Sequence, residues 1–154
     1  MTLPTSMERL LWIDTAGPWC CVAITDGARV VFQRTLDLRR GHGQHLVGEI
    51  DAALRAVDMT LHDMDAIGVC TGPGGYAGLR VGIATAQGMA SGARKRLVGV
   101  PRPEAAPDDK PLSPSSAASE AARLLHAGAT AVRPVYAAPP DAAVSRHQPA
   151  PVID

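Results

Sequence analysis

Glycine and proline divide the 154-residue chain into two unlike parts. Residues 1–100 hold fourteen of the fifteen glycines, ten basic and nine acidic side chains, and nearly all the β-branched and aromatic residues from which strands are built. Residues 101–154 hold ten of the thirteen prolines and fourteen alanines, so 24 of 54 positions are Pro or Ala. Burial has to offset the entropy of ordering the chain, and large apolar groups do most of that. The first part can therefore build a core, whereas the second is poorly equipped to fold alone. The expected organisation is a domain over 1–100, a linker over 101–114 and a tail over 115–154 with one helix. Pro101, Pro103, Pro107, Pro111 and Pro114 punctuate the linker, which is expected to be mobile and protease-sensitive for want of an apolar anchor.

Charge and cysteine content exclude several classes. Fifteen Lys+Arg balance fifteen Asp+Glu, and the aromatics are Trp12, Trp19, Phe32, Tyr76 and Tyr136 alone. This argues against a nucleic-acid binder that relies on a basic surface or on base stacking. Cys20, Cys21 and Cys70 are odd in number and lack CxxC spacing, which suggests neither a disulfide framework nor a structural zinc site. No stretch approaches the roughly 20 apolar residues of a membrane span, and no leader pattern is read at the N-terminus. A reducing cytoplasm is the expected location.

The patterning predicts the element order β-β-β-α-β-α-β. Leu10–Asp14 reads as a strand, and Trp19–Thr25 and Ala28–Leu38 as a hairpin about Asp26-Gly27. Leu46, Ile50, Ala53, Leu54 and Val57 recur at helical spacing over His45–Asp58. Asp65–Thr71 reads as a buried strand, Gly72–Gly78 as a turn, Leu79–Gly92 as a helix and Arg96–Val100 as a further strand. This is an α/β chain with a mixed sheet, whose opening hairpin separates it from a purely parallel doubly wound fold. Ser115–His126 is a last helix, amphipathic through Ala118, Ala122 and Leu125.

Three segments are candidates for chemistry. In Thr71–Gly82, a glycine-rich link from strand to helix, the amides of Gly72 and Gly74 could receive an anion; equally, the glycines could serve close approach of backbone. A Walker A motif is excluded because the first lysine is Lys95; Gly72-x-Gly74-x-x-Ala77 satisfies the loose dinucleotide pattern, but Arg94-Lys95-Arg96 stands where a dehydrogenase wants an acidic residue. Asp14-Thr15 follows the first strand, where an Asp can hold Mg²⁺ through water and a Thr can donate to phosphate; Asp-Thr also opens ordinary turns. His42 and His45 stand three apart but have no third ligand at compatible spacing. No nucleophile-base-orienter set is visible, so catalytic and metal residues are expected to be absent.

Together these segments resemble the TsaB (YeaZ) family. The resemblance runs through Leu11-Trp-Ile-Asp-Thr15, Arg40-Gly-His-Gly-Gln-His-Leu46, Asp63–Val69, Gly72-Pro-Gly-Gly-Tyr-Ala-Gly-Leu-Arg-Val-Gly-Ile-Ala84 and Leu97–Val100, about the first hundred residues. Pro134-Val-Tyr136 and Pro139-Pro140-Asp141-Ala142 are similar to the family's closing motif, with Ala137-Ala138 where the family usually has Leu-Arg. The resemblance implies an actin-like (ASKHA) N-terminal lobe and a second lobe truncated to the segment 115–154. It also implies a noncatalytic subunit supporting TsaD in threonylcarbamoyl transfer to the adenosine next to the tRNA anticodon, not the peptidase of an older family label. TsaE is implied as a further partner, a homodimer is allowed, and tRNA is reached only through the complex. ATP–Mg²⁺ is expected to bind weakly or not at all, with Asp14, Thr15, Gly72 and Gly74 the nucleotide candidates. Alternatives are an ATP-binding actin-like phosphotransferase and an inactive TsaB paralogue. The expected partner face is the helical stripe Leu79, Gly82, Ile83, Ala86 and Ala90, which the protein's own sheet could equally cover.

Overall fold

A computed structural model describes residues 8–129 and 132–137. Five strands, β1 (Arg9–Asp14), β2 (Trp19–Asp26), β3 (Arg29–Asp37), β4 (Ala66–Gly72) and β5 (Arg96–Pro101), form one sheet in the order β3-β2-β1-β4-β5. The first three are antiparallel neighbours, as the opening hairpin predicts, and β1-β4 and β4-β5 are parallel, which makes the sheet mixed. Gly27 takes a positive φ of 62° at the start of the two-residue loop between β2 and β3, the backbone state for which a hairpin loop selects glycine.

Alternation along β1 decides what lies on each side of the sheet. Leu11 and Ile13 join Cys20, Val22, Ile24, Ile67 and Val69 on the side covered by α1 (His42–Ala56) and α2 (Tyr76–Ala93). Leu10 and Trp12 join Ala23, Ala66, Cys70, Val98 and Val100 on the other, covered by α3 (Pro114–His126). Because both sides are covered, Cys20 and Cys21 are both buried, although their side chains point oppositely. The residues that α3 turns inward are Ala117, Ala118 and Ala121; Ala122, expected on its apolar face, is exposed.

The stretch expected as a linker is fastened at its ends. Arg102 N–H donates to the Gly72 carbonyl, and Leu112 N–H donates to the Asp14 carboxylate at 3.0 Å while its side chain packs on the second core cluster. Two polar tethers and one leucine anchor a segment whose composition suggests nothing to hold it. The expected closing motif at Pro139–Ala142 lies outside the described residues.

Candidate functional site

The C-terminal end of β1 is the point where the helices, the glycine-rich link and the late segments meet. Asp14 and Thr15 are consecutive, so the strand sends their side chains to opposite sides of the sheet. Asp14 is wholly buried beneath the second face. One carboxylate oxygen accepts from Ala16 N–H and Trp19 Nε1–H, both at 3.0 Å, and the other accepts from Leu112 N–H. Arg102 stands 3.9 Å away with its side chain 8% exposed, and its guanidinium lies over the Trp19 ring at 5.2 Å. Thr15 points toward α2 and donates its hydroxyl to the Gly78 carbonyl.

The glycines of the link let this packing happen. A Cβ at Gly74 would overlap the Ala16 carbonyl, one at Gly78 the Thr15 carbonyl, and one at Gly82 the Thr15 hydroxyl. Gly74 N–H donates to Val135 at 3.2 Å, and Gly75 N–H to Ala16 at 2.9 Å. Val135 N–H in turn donates to Thr71, and Ala137 N–H to Gly74, so residues 135–137 lie strapped across the link.

These contacts correct the nucleotide assignment of Asp14, Thr15, Gly72 and Gly74. Asp14 and Thr15 do not converge on one phosphate, both Asp14 oxygens have protein donors, and the Gly74 amide is already spent. A Cβ at Gly72, whose φ is 93°, would overlap the Val135 carbonyl. Close backbone approach accounts for the glycines. The partner stripe is corrected too, because Leu79, Gly82, Ile83, Ala86 and Ala90 are all buried against this chain's own core. The outward side of α2 instead carries Tyr76, Ala77, Arg80, Ala84, Gln87 and Gly88.

The histidine pair separates as well. His42 opens α1, three residues earlier than the predicted start, and its Nε2 lies 3.0 Å from the Gly17 carbonyl, which it can reach as an N–H donor. His45 is exposed. Among the described residues no three His, Cys, Asp or Glu side chains gather as a metal set. The thiols are similarly withdrawn: burial first, then nearby carboxylates, pushes Cys20 up to about 11, and burial pushes Cys21 up to about 12. Burial likewise pushes Cys70 far above the ordinary thiol range, aided by the charge of Asp14. None is a nucleophile at neutral pH.

What the sequence reading overlooked lies on the α1–α2 side. Arg39, Arg40, His42, Tyr76 and Val81 border a hollow of about 590 Å³ whose floor includes Thr15, Gly17 and Gly78. The adjacent arginines before Gly41 and the aromatic inside the glycine run are its signals in the sequence.

Comparison with known proteins agrees with this geometry. The family model for TsaD, tRNA N6-adenosine threonylcarbamoyltransferase, matches residues 36–109. The TsaB protein of Escherichia coli is 36% identical over 92 residues, 60% of this chain and 39% of that protein. The TsaB protein of Haemophilus influenzae is 31% identical over 117 residues, 76% of this chain and 44% of that protein. A solved YeaZ structure from Pseudomonas aeruginosa superposes with a TM-score of 0.59 at 29% identity, covering 62% of this chain and 44% of its own. The chain thus spans about two fifths of the length of the TsaB relatives it matches. With the mixed sheet and flanking helices of an actin-like N-terminal lobe, the chain belongs to the TsaB (YeaZ) family.

Proposed function

We propose that this chain acts in the biosynthesis of threonylcarbamoyladenosine in tRNA as an accessory subunit that docks TsaD and takes no chemical step itself. The names of the two TsaB relatives support the pathway. The observation that carries the accessory reading is the outward side of the α1–α2 pair. Val47 is 58% exposed there, and a Cβ at Gly48 or Gly88 would meet nothing within 4 Å. Ala84 is exposed as well, and side chains this small let another pair of helices approach closely. It replaces the buried stripe as the proposed TsaD face, and a second copy of this chain competes for the same surface. TsaE is proposed to join the assembly without contacting these helices.

The phosphotransferase alternative loses its footing because Asp14 and Thr15 face opposite sides of the sheet. ATP–Mg²⁺ is therefore proposed to find no site at those residues. A cytoplasmic location follows from the proposed pathway; no described helix is long and apolar enough to cross a membrane. The test is complementation of a bacterium depleted of its own TsaB, with threonylcarbamoyladenosine in tRNA read by mass spectrometry. Restored modification is the expected result. Unrestored modification, with the chain expressed and folded, contradicts the proposal.

A further inference from the structure

Of the five aromatic side chains, Trp12 and Trp19 are buried and Phe32 packs partly buried against the first core cluster. Both tyrosines stand at the surface instead, Tyr76 58% and Tyr136 41% exposed, with ring centroids 4.7 Å apart. The Arg80 guanidinium lies 5.2 Å from the centre of the Tyr76 ring and donates to its hydroxyl at 2.6 Å. Tyr76 is thus held by two neighbours while most of the residue faces water. An aromatic ring ordered in advance offers stacking to a flat ligand at little further entropic cost.

Tyr76 also borders the hollow with Arg39, Arg40 and His42, and among the described residues no carboxylate lines it. Among the described residues the exposed Arg39 and Arg40 join no ion pair. The helices α1 and α2 both start beside it behind glycines that supply no capping oxygen, which reinforces the positive potential of the arginines. In a chain of zero net charge, this hollow brings cationic and aromatic side chains together. We propose that Tyr76, Arg39 and Arg40 form a direct contact for unpaired RNA, with a base on the Tyr76 ring and a phosphodiester on the two arginines. A strand fits better than a free nucleotide, because Tyr136 and Arg80 extend the platform past a single base. Stacking with backbone charge gains its strength by repetition along a strand. The identity of that RNA as tRNA rests on the proposed function; the binding chemistry does not.

The experiment titrates the full chain into a fluorescein-labelled single-stranded RNA of about eight nucleotides, followed by anisotropy at two salt concentrations. Binding should weaken with salt. Arg39→Ala with Arg40→Ala should weaken it more than about tenfold and lower the salt slope by about 1.4, and Tyr76→Leu should weaken it about tenfold with the slope kept. Arg55→Ala, whose side chain pairs with Asp51 elsewhere on α1, should change nothing. Circular dichroism establishes that each variant is folded. Absence of binding, or binding indifferent to these variants, overturns the contact. Equal binding of a duplex of the same length that ignores Tyr76→Leu overturns the stacking mode, and hence the proposal. ATP binding as tightly as the RNA overturns the strand in favour of a free nucleotide. TsaD capture measured in parallel keeps the two ideas apart: capture of TsaD by an unsubstituted chain that binds no RNA refutes this contact alone.

Discussion

The two faces of the sheet are built by different means. On one, two helices bring Leu46, Ile50, Ala53, Ile83, Ala86 and Ala90 against branched side chains from β1, β2 and β4, an apolar core that periodicity announces. On the other, a single helix offers alanines to Trp12 and Leu10, and a buried carboxylate holds the chain leading into that helix. Among the described residues the second face also leaves three buried polar atoms, Trp12 Nε1, Thr25 Oγ1 and Arg102 Nη1, without a hydrogen-bond partner. One face is held by contact area, and the other depends on a few directed interactions. The second should therefore fail from a single polar substitution.

Asp14→Ala is the largest expected effect. It removes the acceptor for three N–H groups and leaves the Arg102 guanidinium buried without its counter-charge, a loss of about 3–5 kcal/mol. Urea unfolding measures it, and a loss below about 1 kcal/mol, typical of a surface pair, would remove the carboxylate from its structural role. An intermediate effect concerns pH. The folded state holds all three thiols above their unfolded value of 9.0, so their contribution to stability is complete below that pH and is lost as pH rises through the folded values. Each thiol should cost up to about 1.4 kcal/mol per pH unit above 9. For Cys20, on the first face, the loss ends near pH 11; for Cys21, on the second, it continues to about 12. Urea midpoints between pH 8 and 11 should flatten most in a Cys21→Ala, Cys70→Ala double variant, and an unchanged slope would refute the burial assigned to them. The smallest effect is a gain. Gly88 lies on the open side of α2, so Gly88→Ala should raise stability by about 0.5–1 kcal/mol, whereas Gly82→Ala, aimed at Thr15, should lower it. Thermal melts of the two variants test whether the helix has one covered and one open side.

Much of the first face is legible in the sequence because periodicity registers burial directly. The second is less so. Ala117, Ala118 and Ala121 carry a weak signal, and the donor that fixes Leu112 to Asp14 lies 98 residues along the chain. An acidic residue at a strand end reads alike whether it binds a metal or a distant amide. Helix starts fall three residues early, at His42 and Tyr76, since the N-caps are glycines and not the Ser, Thr or Asp that marks an N-terminus. The stripe from Leu79 to Ala90 is buried as its spacing requires, but spacing does not say whether the covering surface belongs to the same chain or to a partner. Charge balance over the whole chain likewise conceals the local gathering of Arg39, Arg40 and Tyr76.

Ala84→Arg tests most directly the proposed docking of TsaD on the outward side of the α1–α2 pair. Ala84 is exposed, so the arginine should leave the monomer folded, yet in a helix-helix interface it would lose its water without gaining a partner. Affinity for TsaD, measured by pull-down and by titration calorimetry, should fall at least about tenfold, a change worth about 1.4 kcal/mol. A folded Ala84→Arg variant that binds TsaD as strongly as the unsubstituted chain would contradict the account.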